Sequence, residues 1–244
     1  MARRSMSEDV QERIKQLILD RRLAPGDPLP TEAELVEILD ISRNSVREAL
    51  KALQAMRIVD IRHGFGTYVG SLSLEPLVDG IAFRAAVHHH QGAPALAELM
   101  EVREALESGL IGTVAASLPA EDLAVLKGLV DTMEREAEKL SEIRPETDRA
   151  FHLALYRALG NHLLSEVLDA FWAALHQVRA ELDPAHSDPR GTWRQHRELV
   201  QALEDKDGAR AVEWMHRHFD DIRARLGRSA AEPLGRWAAG PKAD

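Results

Sequence analysis

The chain of 244 residues is 45 % apolar, which is enough to bury the core of one large domain or of two smaller ones. It contains no cysteine, so disulfide bonds and thiolate metal sites are excluded. No apolar run approaches the roughly 18 residues that cross a membrane, and the basic start lacks the apolar core of a signal peptide. We therefore expect a cytoplasmic protein without a membrane partner.

Charge is unevenly distributed along the chain. Residues 1–70 contain eleven basic and eleven acidic residues, whereas residues 71–244 contain twenty basic and twenty-nine acidic ones and account for the whole net charge of −9. Ten of the eleven histidines also follow residue 70. The sequence predicts a first domain over residues 1–70, a second over residues 74–228 and a loose tail over residues 229–244. A neutral first domain can bind nucleic acid only through locally placed basic groups.

The first seventy residues show the pattern of a winged helix-turn-helix. Apolar spacing predicts a helix over about residues 8–21, which the segment LAPGDPLP ends. Thr31 and Glu34 form a capping box for a short second helix, and Ser42 caps a third. The segments IVDIR and TYVG then alternate as two short strands around the glycine-bearing turn HGFG.

The third helix carries polar and basic side chains on its first turns. In a winged helix-turn-helix this helix enters the major groove with its N-terminal end, where base edges are within reach. Arginine suits guanine, asparagine suits adenine, and serine suits phosphate. We therefore predict that this helix contacts double-stranded DNA through Arg43, Asn44, Ser45 and Arg47 rather than being a plain solvated face.

The acidic remainder shows helical periodicity with almost no strand signal. Chain breakers divide it into about seven helices, which predicts an all-α bundle. Their expected ranges are 74–86, 94–117, 120–140, 145–158, 162–182, 189–204 and 207–226. The three histidines at 88–90 are expected to lie in a solvated loop beside the breaker QGAP.

Four residues of the bundle are candidate metal ligands. Asp148 and His152 are four apart and share a helix face, while His196 and His218 lie in the middle of two later helices. If they converge, one carboxylate and three imidazoles suit a divalent ion, with zinc as first candidate and nickel or manganese as alternatives. Spacing does not establish convergence, so ordinary core or surface histidines remain the alternative.

Several segments resemble one family of bacterial transcription regulators. LPTEAEL, ISRNSVREALKALQAMRIV and HGFGTYV are similar to the N-terminal domain of GntR-family proteins over about residues 8–70. The resemblance implies a homodimer on a palindromic operator, with the third helix in the major groove. It also implies that His63 and Gly64, at the tip of the wing, face the minor groove.

Three positions depart from the usual pattern of that family. Ala33 stands where an arginine often contacts DNA, so one contact is missing. Asp40 replaces the usual turn glycine, and aspartate tolerates a left-handed backbone better than most residues do. Arg57 stands where glycine is common, which is expected to cost about 1 kcal/mol if the position needs a positive φ.

The second half resembles the FCD effector domain of the FadR subfamily. EVREALESGLIGTVAA, DRAFHLALYRALGNHLL and HRELVQALEDKDGARAVEWMHRHF carry the resemblance over about residues 74–226. It implies a metal at Asp148, His152, His196 and His218. It also places Arg103 and Asn161 at positions that can face the pocket, which implies a small organic acid as effector. The alternative for Arg103 is a surface ion pair with Glu107.

Three functions are compatible with these features. A transcription regulator whose operator affinity responds to an organic acid at a metal-containing pocket explains both halves. A regulator that responds to the metal alone is the second hypothesis. A metal-dependent enzyme is the third, but the spacing places no general base beside the ligands and leaves the recognition helix unexplained, so we expect no catalysis.

Overall fold

The computed structural model describes residues 6–90, 95–179 and 188–231. The chain forms two compact units, of which the first ends at Asp79 and the second begins at Gly80. Within the described ranges, no helix is both long enough and apolar enough to cross a membrane.

The first unit is a winged helix-turn-helix, as predicted. It consists of α1 (Met6–Asp20), α2 (Glu32–Leu39), α3 (Arg43–Ala55), β1 (Val59–Arg62) and β2 (Gly66–Val69). The capping box of Thr31 and Glu34 starts α2, and the side chain of Ser42 caps α3. Inward-facing apolar residues of all five elements form one core, which includes Ile14, Leu35, Leu50, Val59 and Val69.

The wing is tied to the body of this unit on one side. β1 and β2 pair antiparallel, with Val59 opposite Val69 and Arg62 opposite Gly66. The segment before α2 pairs with the other edge of β2, where the N–H of Leu29 donates to the carbonyl of Thr67 at 2.8 Å. The hairpin is therefore held on both edges of β2, which limits its freedom relative to the helices.

Two of the atypical residues do adopt a left-handed backbone. Asp40 ends α2 with φ 48°, and Arg57 follows α3 with φ 58°. The carbonyl of Arg57 is also closely approached by Gly70, where an added Cβ would lie only 2.2 Å from that oxygen. The sharp connection from α3 into the wing thus requires a strained arginine on one side and a glycine on the other.

Replacing Arg57 by glycine is expected to raise the free energy of unfolding by about 1 kcal/mol, because glycine adopts a positive φ without a steric cost. The exposed ion pair of Arg57 with Glu75 would be lost, but such pairs contribute little. Urea denaturation measures the effect. Lys51→Gly, within α3, is the control and should destabilise by about 1 kcal/mol; equal destabilisation by both variants would contradict the strain.

Seven helices follow the wing within the described residues, which confirms a mostly α fold with an all-α second half. They are α4 (Glu75–His90), α5 (Ala95–Ser117), α6 (Ala120–Lys139), α7 (Pro145–Arg157), α8 (His162–Arg179), α9 (Pro189–Glu204) and α10 (Gly208–Ala231). Helix α5 packs against α7, α8, α9 and α10. It therefore lies centrally among the helices that carry the candidate ligands.

Two predictions about where helices end were wrong. The histidines at 88–90 belong to α4 and not to a loop, because no residue before Gly92 interrupts the helix. Helix α10 continues to Ala231, so residues 229–231 of the expected tail are helical, since no proline occurs before Pro233. The remainder of that tail, residues 232–244, lies outside the described residues, as do 91–94 and 180–187.

Candidate metal centre and DNA-binding surface

The four predicted ligands lie together in the second unit. Asp148 and His152 come from α7, His196 from α9 and His218 from α10. The candidate ligand atoms of the three histidines lie within 4.8 Å of one another, and all three residues are buried. Oδ1 of Asp148 is 3.2 Å from Nε2 of His196 and 3.8 Å from Nε2 of His152. The fold thus brings one carboxylate and three imidazoles to a single point between helices.

Hydrogen bonds on the far side of two rings determine which nitrogens face that point. Nδ1–H of His152 donates to Oε2 of Glu107 at 2.5 Å. Nδ1–H of His196 donates to the carbonyl oxygen of Thr192, one turn earlier on α9, at 2.8 Å. Because a neutral imidazole carries one proton, both Nε2 atoms are left with a free lone pair.

With His152 and His196 in the neutral form, Asp148 Oδ1 and the Nε2 atoms of these two histidines are acceptors. A carboxylate oxygen and an imidazole lone pair cannot hydrogen-bond to each other, although Asp148 and His196 are close enough. Among the described residues, Asp148 Oδ1 and the Nε2 atoms of His152, His196 and His218 are buried without a hydrogen-bond partner. Such orphaned groups are costly. A divalent cation would satisfy all four atoms, and their oxygen and nitrogen chemistry suits zinc, nickel or manganese.

The protonation states also suit a cation. Burial acts to raise the pKa of Asp148. Against it, a proton on Nε2 of His196 that bonds to the carboxylate, together with positive charge on His196, His152 and His218, holds the pKa well below its ordinary range. A bound cation would take the place of those protons. Burial lowers the pKa of His218 well below its usual value, and the imidazoles of His196 and His152 lower it further. An ionised carboxylate and a neutral imidazole are the forms that ligate metal.

Arg103 lies beside this cluster in a buried ion pair. Its side chain is 1 % exposed and that of Glu107 is 0 % exposed. Nη2 and Nε of Arg103 donate to Oε1 of Glu107 at 2.8 and 3.2 Å, and the guanidinium stacks over the ring of Trp172 at 4.0 Å. The pair with Glu107 therefore exists, but it lies in the interior and not on the surface. Glu107 connects Arg103 directly to His152.

A cavity of about 250 Å³ opens between α7 and α8. The ring of Trp172 is part of its wall and also lies 5.3 Å from the ring of His152, measured between centroids. The cavity is lined by Pro145, Glu146, Arg149, Trp172, Ala173, Leu175 and His176. Trp172 is thus shared between an open pocket and the Arg103–His152 region.

In the first unit, the predicted DNA contacts lie at the exposed start of α3. The side chains of Arg43 and Arg47 are 72 % and 57 % exposed, and both approach Glu32 of α2, at 3.6 and 4.0 Å. Asn44 is exposed as well, and the hydroxyl of Ser45 lies 2.8 Å from that of Ser42. At the wing tip, His63 and Gly64 are exposed. These residues form two neighbouring segments of one winged helix-turn-helix, the start of α3 and the tip of the hairpin.

Comparison with known proteins identifies the family. Residues 6–69 match the bacterial regulatory proteins of the gntR family, and residues 98–221 match the FCD domain. The chain is 31 % identical to the Uxu operon transcriptional regulator of Escherichia coli (strain K12), over 90 % of this chain and 86 % of that protein. The chain belongs to the GntR family.

Other comparisons agree with this family. The HTH-type transcriptional repressor NanR of Cronobacter sakazakii is 28 % identical over 91 % of this chain and 85 % of that protein. The solved structure described as Streptococcus agalactiae GntR is 26 % identical, with a TM-score of 0.65, and covers 89 % of this chain and 99 % of that one. This GntR-family protein is therefore a DNA-binding transcription regulator with an FCD domain, and not an enzyme.

The two predicted effector residues differ in environment. Arg103 lies at the cluster, but Asn161 is exposed at the start of α8, where its Oδ1 accepts a hydrogen bond from the N–H of Leu164 at 3.1 Å. Its side-chain oxygen caps the helix, and its role in binding an effector stays a prediction.

Glu107 and Thr192 were not predicted as partners of the histidines. Glu107 was considered as a surface partner of Arg103, whereas it also holds His152. The position of Arg103 and Glu107 among the apolar residues of α5 was the sequence signal that could have indicated a buried role for Glu107. No sequence signal could have indicated the Thr192 carbonyl, because every residue has a backbone carbonyl.

Proposed function

We propose that this regulator binds a palindromic operator as a homodimer and that a small organic acid controls its operator affinity at a metal-containing pocket. The ligands would be Asp148, His152, His196 and His218, and the ion zinc, with nickel or manganese as alternatives. The observation that supports this most strongly is the set of four buried polar atoms, one carboxylate oxygen and three imidazole nitrogens, that lie together without a hydrogen-bond partner.

The side chains around the cluster fit an acidic effector. A bound divalent ion with open coordination positions would supply positive charge to an oxygen of the acid. Arg103 adds a second positive group. Its Nε and Nη2 are paired with Glu107, whereas Nη1 donates to the sulfur of Met100 at 3.9 Å. A guanidinium with a donor satisfied only by a thioether can still bind a carboxylate.

The DNA-binding half of the proposal depends on the start of α3. Arg43, Asn44, Ser45 and Arg47 would contact the major groove, and His63 and Gly64 the minor groove. One recognition helix covers few base pairs, so a symmetric dimer on a palindrome is needed for useful specificity. The FCD domain is proposed to supply most of the dimer interface.

Effector binding would be transmitted through the helices that hold the ligands. Asp148, His152, His196 and His218 belong to α7, α9 and α10, so an acid that draws these side chains together would shift three helices. In a dimer, such a shift would change the separation of the two DNA-binding units. The resulting change in operator affinity would be the coupling between the two sites.

Titration of a labelled operator tests the proposal. Protein is stripped with chelator, reloaded with zinc, nickel or manganese, and then mixed with a panel of hydroxy, keto and sugar acids. We expect one acid to change operator affinity by about 5- to 150-fold. This change should occur only in protein that has been loaded with metal. If metal by itself produces the full change and no acid adds to it, the metal-only alternative is correct. If neither has any effect on specific binding, effector control at this site is wrong.

A further inference from the structure

The tip of the wing carries an unusually exposed aromatic residue. The side chain of Phe65 is 81 % exposed, more than any other large apolar side chain in the part of the chain that the structure describes. A single exposed apolar residue is ordinary on a protein surface. Phe65 is different because it lies at the tip of the wing, on a turn whose backbone is held by hydrogen bonds.

The backbone on both sides of Phe65 is held in place. Its N–H donates to the carbonyl of Arg62 at 2.9 Å, and its own carbonyl accepts the hydroxyl of Tyr68 at 3.1 Å. Gly64 and Gly66 flank it with φ of 80° and 109°, and neither has any atom within 4 Å of an added Cβ. The phenyl ring therefore stands on a narrow, hydrogen-bonded turn, and little backbone entropy would be lost when it binds.

The tip of the wing presents no acidic side chain that would repel a polyanionic partner. The segment HGFG contains no acidic residue. Arg62, at its base, is held over the ring of Tyr68 at 4.2 Å and paired with Asp60, while His63 is exposed. An apolar ring beside such groups suits the minor groove of DNA, where phenylalanine can wedge between base steps and bend the duplex.

We propose that Phe65 inserts into the minor groove beside each half-site and wedges against a flexible pyrimidine–purine step. The inference rests on the proposed DNA contacts of α3 and adds to them a residue that contributes apolar contact and bending. It does not depend on the metal or on the effector. The wedge would also favour operators with deformable steps at the position of the wing, because unstacking is least costly there.

The test compares three variants of the full-length protein on the same operator. Phe65→Ala should weaken binding about tenfold or more and remove most of the bend, since unstacking and bending depend on the wedge. Phe65→Leu should keep part of both effects. Leu19→Ala truncates a side chain that is 68 % exposed on α1 of the same unit, and it should change neither. Fluorescence anisotropy gives the affinity, and energy transfer between labelled DNA ends gives the bend.

Salt dependence separates the wedge from an ionic contact. Removing an apolar ring changes no charge, so the slope of affinity against salt concentration should be the same for Phe65→Ala and the natural protein. The proposal is wrong if Phe65→Ala binds and bends DNA like the natural protein, if affinity falls without a change in bend, or if the variant alters the oligomeric state in the absence of DNA. If Arg43→Ala loses operator binding while Phe65→Ala binds and bends DNA like the wild-type protein, the assignment of α3 as the recognition helix is supported and only the wedge proposal is wrong.

Discussion

Replacing His152 by alanine is expected to abolish stoichiometric metal binding and, with it, the response to effector. The natural protein, purified without chelator or affinity tag, should contain one divalent transition metal per chain. Metal at a hundredfold excess over its dissociation constant would stabilise the folded state by about 2.7 kcal/mol. For a unit of this size, that corresponds to a rise of about 5–10 °C in melting temperature. His152→Ala should show no such rise, because one of the three imidazoles is lost.

A second histidine on α10 provides the control. His216 is two residues from His218, but its side chain is 52 % exposed and its Nδ1 lies 2.9 Å from Glu104 instead of in the cluster. His216→Ala should therefore keep the metal and the thermal shift. Elemental analysis and calorimetry measure both quantities. If no transition metal is found in the natural protein and added metal leaves its melting temperature unchanged, the four residues are not a metal site, and the effector mechanism is wrong as well.

The affinity for metal should also depend on pH. The imidazoles must be neutral to ligate, so protons compete with metal and affinity should decrease as pH falls toward about 6. His218 should contribute less to this loss of affinity, because burial lowers its pKa and so keeps its imidazole neutral to lower pH. The metal-induced rise in melting temperature, measured at several pH values, should become smaller as the pH falls.

Replacing Arg43 or Arg47 by alanine is expected to weaken binding to the cognate operator by about 1–3 kcal/mol each and to relax base preference. Both side chains are exposed on the first turns of α3, at the end of the helix that we propose enters the major groove. In the structure both arginines approach Glu32, at 3.6 and 4.0 Å, and Glu32 is partly exposed. Exchanging these weak ion pairs for contacts with a base should therefore cost little free energy. Anisotropy on operators with single base changes measures affinity and preference together.

Lys51→Ala is the matched control for this loss of charge. Lys51 lies on the same helix, one and two turns after the two arginines, and pairs with Glu48 on the surface. Its removal should leave base preference unchanged, whatever small uniform effect it has on affinity. If Arg43→Ala and Arg47→Ala both bind the operator with natural affinity, the assignment of α3 as the recognition helix is contradicted.

Features that depend on neighbouring residues could be predicted from the sequence. The capping box of Thr31 and Glu34, the cap at Ser42 and the alternation in the wing act over a few residues, so their pattern specified the winged helix-turn-helix. Apolar spacing and breakers specified the seven helices that follow. The ends of α4 and α10 were placed too early, because a histidine run and a helix without proline give no local stop signal.

Long-range proximity was decided by the tertiary structure. Asp148 and His152 could be placed on one face from their spacing, but only the packing of α7, α9 and α10 brings His196 and His218 beside them. The pair of His152 and Glu107 spans 45 positions of the chain, and burial turned the expected surface ion pair of Arg103 into an interior one. Packing also left Asn161 as an exposed cap. Local hydrogen bonds and periodicity are encoded within a few residues, whereas convergence and burial depend on how whole helices pack against one another.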